Sequence, residues 1–338
     1  MQCYLADGQG IDSISLSHRA APAILNDRDV LVEVKACSLN YRDLMIAKGT
    51  YSAHDSSAPF IPLSDMAGEV KAVGSKVSAL KPGDRVLNHP FRHWPAGTLN
   101  SQWARTFVGC MGMDGVLAEQ IVYPADALIV IPDYLSYVEA STFTIAGLTA
   151  WAAVVTHGRI RPGNWVLLQG TGGVSIFAAQ LAHAMGAKTI MTTSCAEKAE
   201  YVKKNIGVTA TVIYQDPDWH KQVKQITQGA GVDVVVDVVG GETLSLSLQT
   251  CSYGARVAVI GVLSGQNTTL RIRDLLAHQV ALRGIYMESA AELRAFVCAV
   301  EALKIKPSVD KVFSFSQVRE AYRHLESQKH IGKVVIAF

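Results

Sequence analysis

No uninterrupted apolar run in this chain approaches the ~18 residues of a membrane-crossing helix, so none is expected. The opening stretch, MQCYLADGQGIDS, has neither a basic start nor an apolar core, which predicts no secretory signal. The six cysteines (Cys3, Cys37, Cys110, Cys195, Cys251 and Cys298) include no C-x-x-C pair. Their spacing suggests neither a disulfide framework nor a zinc knuckle, and predicts buried free thiols in a reducing cytoplasm. Charge is scarce and balanced: 18% of residues are charged and the net is +2, which argues against nucleic acid or a membrane surface as partner. There is no internal repeat and no low-complexity segment.

What is present is apolar and glycine-punctuated. Apolar residues make up 49% of 338, with 27 glycines. That length suits two domains at ~150 residues each, and the composition excludes a disordered chain.

One stretch organises the rest. Trp165 to Ala179 reads WVLLQGTGGVSIFAA: a buried-strand run, a break at Gly170-Thr171-Gly172-Gly173, then a helical pattern from Val174 that ends at Gly186. Strand, glycine turn and helix form the context in which backbone N–H groups and a helix N-terminus hold a pyrophosphate. Against G-x-G-x-x-G the first two glycines are met at Gly170 and Gly172, and the third position is Ser175, small enough for close helix–strand packing. Many α/β proteins carry a glycine turn here, so the segments that follow matter. KTIMTTS (188–194), TVIY (211–214), VDVVVDVVG (232–240), ARVAVIGVLSG (255–265) and VALRGIY (280–286) are buried-strand runs, most of them separated by helical patterns or loops. Six such strands predict a doubly wound parallel sheet in the order 3-2-1-4-5-6, with the ligand at its switch point.

The flanks read differently. Residues 28–38, 67–74, 85–87 and 115–123 alternate as half-buried strands among Gly and Pro, predicting a small β domain. The segment 88–113 carries Phe91, Trp94 and Trp103 with little periodicity and is expected to be functional or mobile. A helix is expected from Tyr137 to about Gly158, others over 290–304 and 316–328, and a last strand at 333–336. These closing segments have no place in a six-stranded sheet and return to the β domain. The expected division is therefore 1–124 completed by 288–338, with 125–287 inserted as the nucleotide-binding domain.

At the end of the second strand of the inserted domain, where NAD sites place an acid, the chain reads Thr192-Thr193-Ser194-Cys195. Lys198 follows within a turn. A hydroxyl at Ser194 and a lysine suit the 2′-phosphate of NADP(H).

SLNYRDLMIAKGTY (38–51), PLSDMAGEVKAVG (62–74), LKPGDRV (80–86), AGLTAW (146–151), QGTGGVS (169–175) and GKVVI (332–336) together resemble the medium-chain dehydrogenases/reductases. The resemblance spans essentially the whole chain. It implies an α/β fold, a GroES-like β domain around an inserted Rossmann domain. Zinc-dependent members carry a Cys where this chain has Asn40 and a His where it has Ser64, followed by Asp65. Four close cysteines of a structural zinc lobe reduce here to Cys110, and His89 and His93 read as surface residues. No metal is expected. SLNYRD resembles the zinc-independent branch: quinone oxidoreductases and enoyl reductase modules. The PLSD segment is similar to a subgroup labelled alcohol dehydrogenase.

The resemblance further implies a substrate cleft with Asn40, Asp43 and Tyr51. It places Thr149, Val239, Gly261, Val262 and Leu263 by the nicotinamide, and Lys198 and Tyr214 by the 2′-phosphate. Without a Lewis acid, a conjugated carbonyl is the easier hydride acceptor. Asn40 and Tyr51 are expected to hold the enolate oxygen, with Tyr51 or a water protonating the α-carbon and Asp43 orienting its neighbours. Helix capping explains Asn40 and Asp43 equally well. The expected activity is NADPH-dependent reduction of an enone or quinone. A zinc-free alcohol or carbonyl oxidoreductase and a non-catalytic, crystallin-like NADPH-binding protein are the alternatives. The strand at 280–286 is expected to pair across a two-fold in a homodimer.

Overall fold

The computed structural model describes all residues except Leu25, 52–57 and Met111. Fifteen strands follow along the described chain. They are β1 (Gln2–Leu5), β2 (Ser15–His18), β3 (Asp29–Leu39), β4 (Asp65–Val73), β5 (Arg85–Asn88), β6 (Gln120–Pro124) and β7 (Leu128–Val130). Next come β8 (Trp165–Leu168), β9 (Lys188–Thr193), β10 (Ala210–Ile213), β11 (Val232–Asp237), β12 (Cys251–Val259) and β13 (Ala281–Gly284), then β14 (Val309–Ser314) and β15 (Lys333–Ala337). The chain forms two compact units, Met1–Ala146 with Ser289–Phe338, and Gly147–Glu288.

The first unit is built on a seven-stranded sheet ordered β14-β15-β3-β4-β5-β7, with β6 on β3. β3 is its spine because its residues alternate half-buried and buried from Asp29 and then bury continuously from Ala36. β15 runs antiparallel to the end of β3, pairing Val334 with Leu39 and Ile336 with Cys37, so the last strand of the chain lies beside Ser38 and Leu39. The expected boundary at 124/125 differs from the observed one at Ala146/Gly147. β7 pairs with β5, and Ile131 N–H donates to Arg85, so the residues just after 124 belong to this sheet.

The expected strand over 115–123 is shorter, Gln120–Pro124. Gly115 N–H bonds Ile61 and Leu117 N–H bonds Pro62, so the start of that stretch satisfies its backbone against residues 61–63. A Cβ at Gly115 would lie 2.0 Å from the Leu63 carbonyl oxygen, which is why glycine stands there. The segment 88–113 is anchored rather than loose. Phe91 and Trp94 are buried, and Phe107 stacks on Phe91 at 4.5 Å between centroids. His89 is buried too, with Nδ1 3.0 Å from the Phe91 carbonyl, which corrects its reading as a surface histidine. Cys298 is exposed and Cys195 half-buried, so the thiols are not uniformly internal.

The second unit carries a six-stranded sheet ordered β10-β9-β8-β11-β12-β13, all parallel. In sequence terms this is 3-2-1-4-5-6, as expected. β8 and β11 flank the switch point, and Val166, Leu167 and Leu168 of the one and Val234, Val235 and Val236 of the other are buried, as strands covered on both faces require. The helix expected from Tyr137 to Gly158 is broken into pieces: α-helix at Tyr137–Ala140 and Leu148–Trp151, and wider π-turns at Phe143–Gly147 and Ala152–Thr156.

Candidate active site

In the second unit the turn after β8 opens toward a ligand. Gly170 has φ +69°, a left-handed conformation that glycine adopts without penalty. An added Cβ at Gly170 or Gly172 meets no protein atom within 4 Å, so the space over both glycines is open. Gly172 precedes the helix Gly173–Ala184 and no side chain caps that end. The first backbone N–H groups of the helix, including those of Gly173 and Val174, therefore face the open turn with the positive end of the helix dipole.

Ser175, standing at the third glycine position, is fully buried and its hydroxyl donates to the Gln169 carbonyl at 2.6 Å. Gln169 in turn is held by Ser247 at 2.7 Å and Thr192 at 3.2 Å, and Thr192 Oγ1 accepts the Gly170 N–H at 2.9 Å. The serine is thus a strut of the loop. An open, donor-rich turn at the switch point fits a dinucleotide's pyrophosphate.

The other expected nucleotide residues lie at the carboxyl ends of the same strands or on a neighbouring helix. Ser194 is half-buried directly after β9, and its carbonyl accepts from Gln215 Nε2 at 2.9 Å. Lys198 is half-buried in the first turn of the helix Ala196–Ile206. Tyr214 follows β10, its N–H bonded to the Thr193 carbonyl at 3.1 Å, with the ring 47% exposed. Val239 and the run Gly261, Val262 and Leu263 sit on two loops that touch. Gly240 and Gly261 make the contact possible: a Cβ on Gly240 would lie 2.6 Å from the Gly261 carbonyl oxygen. Asp237, fully buried, accepts the N–H groups of Val239 and Gly240 at 3.0 and 2.7 Å and fixes the first loop. Thr149 is buried in the helix Leu148–Trp151. Glu197, not singled out from sequence, is an exposed acid next to Lys198, and its carboxyl is held below its ordinary range by its own backbone N–H and the Cys195 thiol.

In the first unit a compact polar cluster lies where β3, β4 and β15 come together. Asn40 follows β3 and caps the helix Tyr41–Ala47, and its N–H donates to Asp43 Oδ2 at 2.8 Å, half of a capping box. The capping explanation of Asp43 thus holds in this structure. The Asn40 side chain does something else. Its Oδ1 accepts from Lys333 Nζ at 2.6 Å and its Nδ2 donates to Asp65 Oδ2 at 2.9 Å. Lys333 also donates to the Leu39 carbonyl at 2.6 Å and lies 3.7 Å from Asp65 Oδ2. Ser38 donates to that same Asp65 oxygen at 3.0 Å. Asp65 and Lys333 are buried to 0% and 3% exposure, so each charge depends on the other. Burial pushes Asp65 up and Lys333 down, and each shift is opposed by the partner's charge. Asp43 is pushed up to about 6, chiefly by burial, with Arg42 the main opposing influence.

Arg42 lies between two rings, its Cζ 5.2 Å from the Tyr51 centroid and 4.1 Å from that of Phe107. Its Nη1 bonds Asp43 at 3.2 Å and also bonds the Ser64 hydroxyl, which donates to the Val108 carbonyl at 2.8 Å. Tyr51 is half-buried against this guanidinium. The structure therefore links Tyr51 to Asp43 through Arg42, and Asp43 to Asn40 through the helix cap. Neither Arg42 nor Lys333 was singled out from sequence. Each is a cation inside an apolar run, LNYRDLMIA and GKVVIA, and that was the available signal.

Zinc does not fit this donor set. The Asn40 amide oxygen already receives a lysine, Ser64 is bound by an arginine, and the two cations oppose a third. Among the described residues no group of three His, Cys, Asp or Glu side chains could hold a metal.

A glycine-turn Rossmann unit and a GroES-like unit define a nicotinamide-type oxidoreductase by fold. The alcohol dehydrogenase GroES-like domain model matches residues 26–133, and the zinc-binding dehydrogenase model matches 173–302. The zinc-type alcohol dehydrogenase-like protein of Schizosaccharomyces pombe is 38% identical over 97% of this chain and 96% of its own length. A quinone oxidoreductase-like protein 2 homolog of Nematostella vectensis is 30% identical over 92% of this chain and 82% of its own. A crystal structure of an NAD-dependent alcohol dehydrogenase superposes with TM-score 0.90 at 30% identity, covering all of both chains. The chain belongs to the medium-chain dehydrogenase/reductase superfamily, whose members bind nicotinamide cofactors, and it is an oxidoreductase of that family.

Proposed function

We propose that this protein is a zinc-independent, NADPH-dependent reductase of α,β-unsaturated carbonyls or quinones. The observation that carries the reading is the donor set at Asn40 and Ser64. An amide fixed by Lys333 and a hydroxyl held by Arg42 replace the thiolate and imidazole that a metal requires.

When bound, the nicotinamide supplies hydride from its C4. The chain's own groups handle the charge and the proton. As the β-carbon gains hydride, negative charge collects on the carbonyl oxygen, and Asn40 Nδ2–H and Tyr51 O–H donate to it. Tyr51, or a water beside it, then delivers the proton to the α-carbon. Asp43 positions Asn40 through the helix cap and does not exchange protons with substrate. Arg42 holds the Tyr51 ring.

The readout is NADPH oxidation with 2-cyclohexenone or 1,4-benzoquinone against cyclohexanone. The enone or quinone is reduced at least about tenfold faster, and Asn40→Ala lowers kcat about 100-fold, the order seen when one oxyanion donor is removed. Faster turnover of the saturated ketone, or of an alcohol with NADP, would favour the carbonyl dehydrogenase reading instead.

NADP is preferred over NAD because Ser194, Lys198 and Tyr214 surround the carboxyl ends of β9 and β10, where a 2′-phosphate would lie. Glu197 favours the second reading, NAD, since a carboxylate there suits a ribose 2′-OH, and the NAD-dependent structural relative points the same way. Lys198→Ala separates them. It raises KM for NADPH about 10- to 100-fold, the worth of a charge-assisted hydrogen bond, and leaves KM for NADH unchanged.

A homodimer is proposed through β13. This edge strand is exposed at all four residues, with Leu282, Tyr286, Leu276 and Ile272 exposed on or near it. An unprotected apolar edge of this kind invites a second copy.

A further inference from the structure

We propose that Lys333 is a positioning residue for the reaction: it fixes the Asn40 amide so that its NH2 end, not its oxygen, is offered to substrate. This rests on the reading of Asn40 as a donor given above.

A carboxamide is nearly the same shape either way round, so shape alone does not decide which end points where. Charge decides it here. Lys333 has only donors, and its ammonium sits 2.6 Å from one terminal atom of the amide. Asp65 has only acceptors when ionised, and its Oδ2 sits 2.9 Å from the other. Turning the amide over would set NH2 against an ammonium and oxygen against a carboxylate, losing two charge-assisted hydrogen bonds at once. Among the described residues Asp65 takes one of the two Nδ2 hydrogens and nothing takes the second. The site is thereby a donor and never an acceptor at that point. The cation at the oxygen end also draws electron density through the amide and strengthens the remaining N–H as a donor.

Lys333 is itself held. Its backbone N–H bonds Ser308 at 3.0 Å, its ammonium bonds the Leu39 carbonyl, and it opens the strand that pairs with the end of β3. Asp65 Oδ1 has no hydrogen bond among the described residues, so the aspartate leans on Lys333 for charge compensation.

Lys333→Met alone leaves Asp65 uncompensated and is expected to lose stability, so the informative variant is the neutral pair Lys333→Met/Asp65→Asn, with Lys333→Arg as the conservative replacement. The substrate-free readout is the pair of Asn40 side-chain amide protons in selectively 15N-asparagine-labelled protein, assigned by their loss in Asn40→Ala. The proposal predicts two separated, slowly exchanging resonances in the native protein and in Lys333→Arg, and collapse toward exposed-asparagine positions in the neutral pair. With NADPH and 2-cyclohexenone, kcat of the neutral pair falls at least tenfold while KM for NADPH stays within a factor of two and the melting temperature returns toward the native value. A merely structural lysine would return kcat together with stability. Native-like amide resonances in the neutral pair, or native kcat in it, overturn the proposal. If Asn40→Ala keeps kcat, the donor reading fails first; if Asn40→Ala loses kcat and the neutral pair does not, only the role of Lys333 fails.

Discussion

Asp43 is the residue whose titration is most accessible. Its ordinary value is about 3.9, and burial pushes it up to about 6. Between those values the folded protein keeps a proton that the unfolded chain has released, so stability contributed by this group falls as pH rises through that window and is level above it. Activity runs the other way. The ionised carboxylate receives both the Asn40 N–H and Arg42, and protonation weakens both bonds. The kcat/KM profile for an enone should therefore decline on the acid side with an apparent pKa near 6, and Asp43→Asn, which keeps an acceptor but no charge, should remove that limb at a cost of no more than about tenfold at neutral pH. An acid limb that persists in the asparagine variant would assign it to another group. Such electrostatics were barely legible in the sequence. Asn40, Asp43 and Ser64 could be placed by motif, but Lys333 lies 293 positions from Asn40, and only the pairing of β15 with β3 brings it there.

At the scale of elements, two glycines of the nucleotide unit separate folding from binding. Gly172 has φ −77° and an added Cβ meets nothing, so Gly172→Ala should leave the melting temperature unchanged while raising KM for NADPH about tenfold or more by filling the phosphate approach. At Gly261 a Cβ would lie 1.9 Å from the Val238 carbonyl oxygen, so Gly261→Ala should lower stability as well. Equal melting shifts in the two would contradict this division. The strands β8 and β11 were readable because WVLL and the VVV of VDVVVD are short apolar runs that leave no alternative face to choose. The broken helix after Tyr137 was not. Its π-turns, in which His157 N–H reaches back to Ala152, leave no mark in a sequence that reads there as one continuous helical pattern. β1 and β2 were missed because QCYL and SLSH are short and weakly patterned; they are stabilised by pairing with each other.

For the whole molecule, the strand order 3-2-1-4-5-6 and the return of the C-terminal segments to the β unit were legible because six buried-strand runs complete the parallel sheet and leave the closing segments no place in it. The boundary near residue 146 was not, since β7 is only three residues long and looks like a linker. The exposed β13 edge predicts that the protein sediments as a dimer at micromolar concentration and that Leu282→Glu shifts it to monomer by placing like charges across the two-fold. A native monomer under those conditions would overturn the dimer.

In the proposed mechanism, hydride passes with hydrogen-bond donors, not a metal, holding the developing charge. The measurement that bears on it most directly is turnover of NADPH and an enone, followed as zinc content per chain is lowered with a chelator and determined by elemental analysis. The expected rate is undiminished at far below one zinc per chain; a rate that falls in proportion to zinc and returns with it would show that the metal holds the charge.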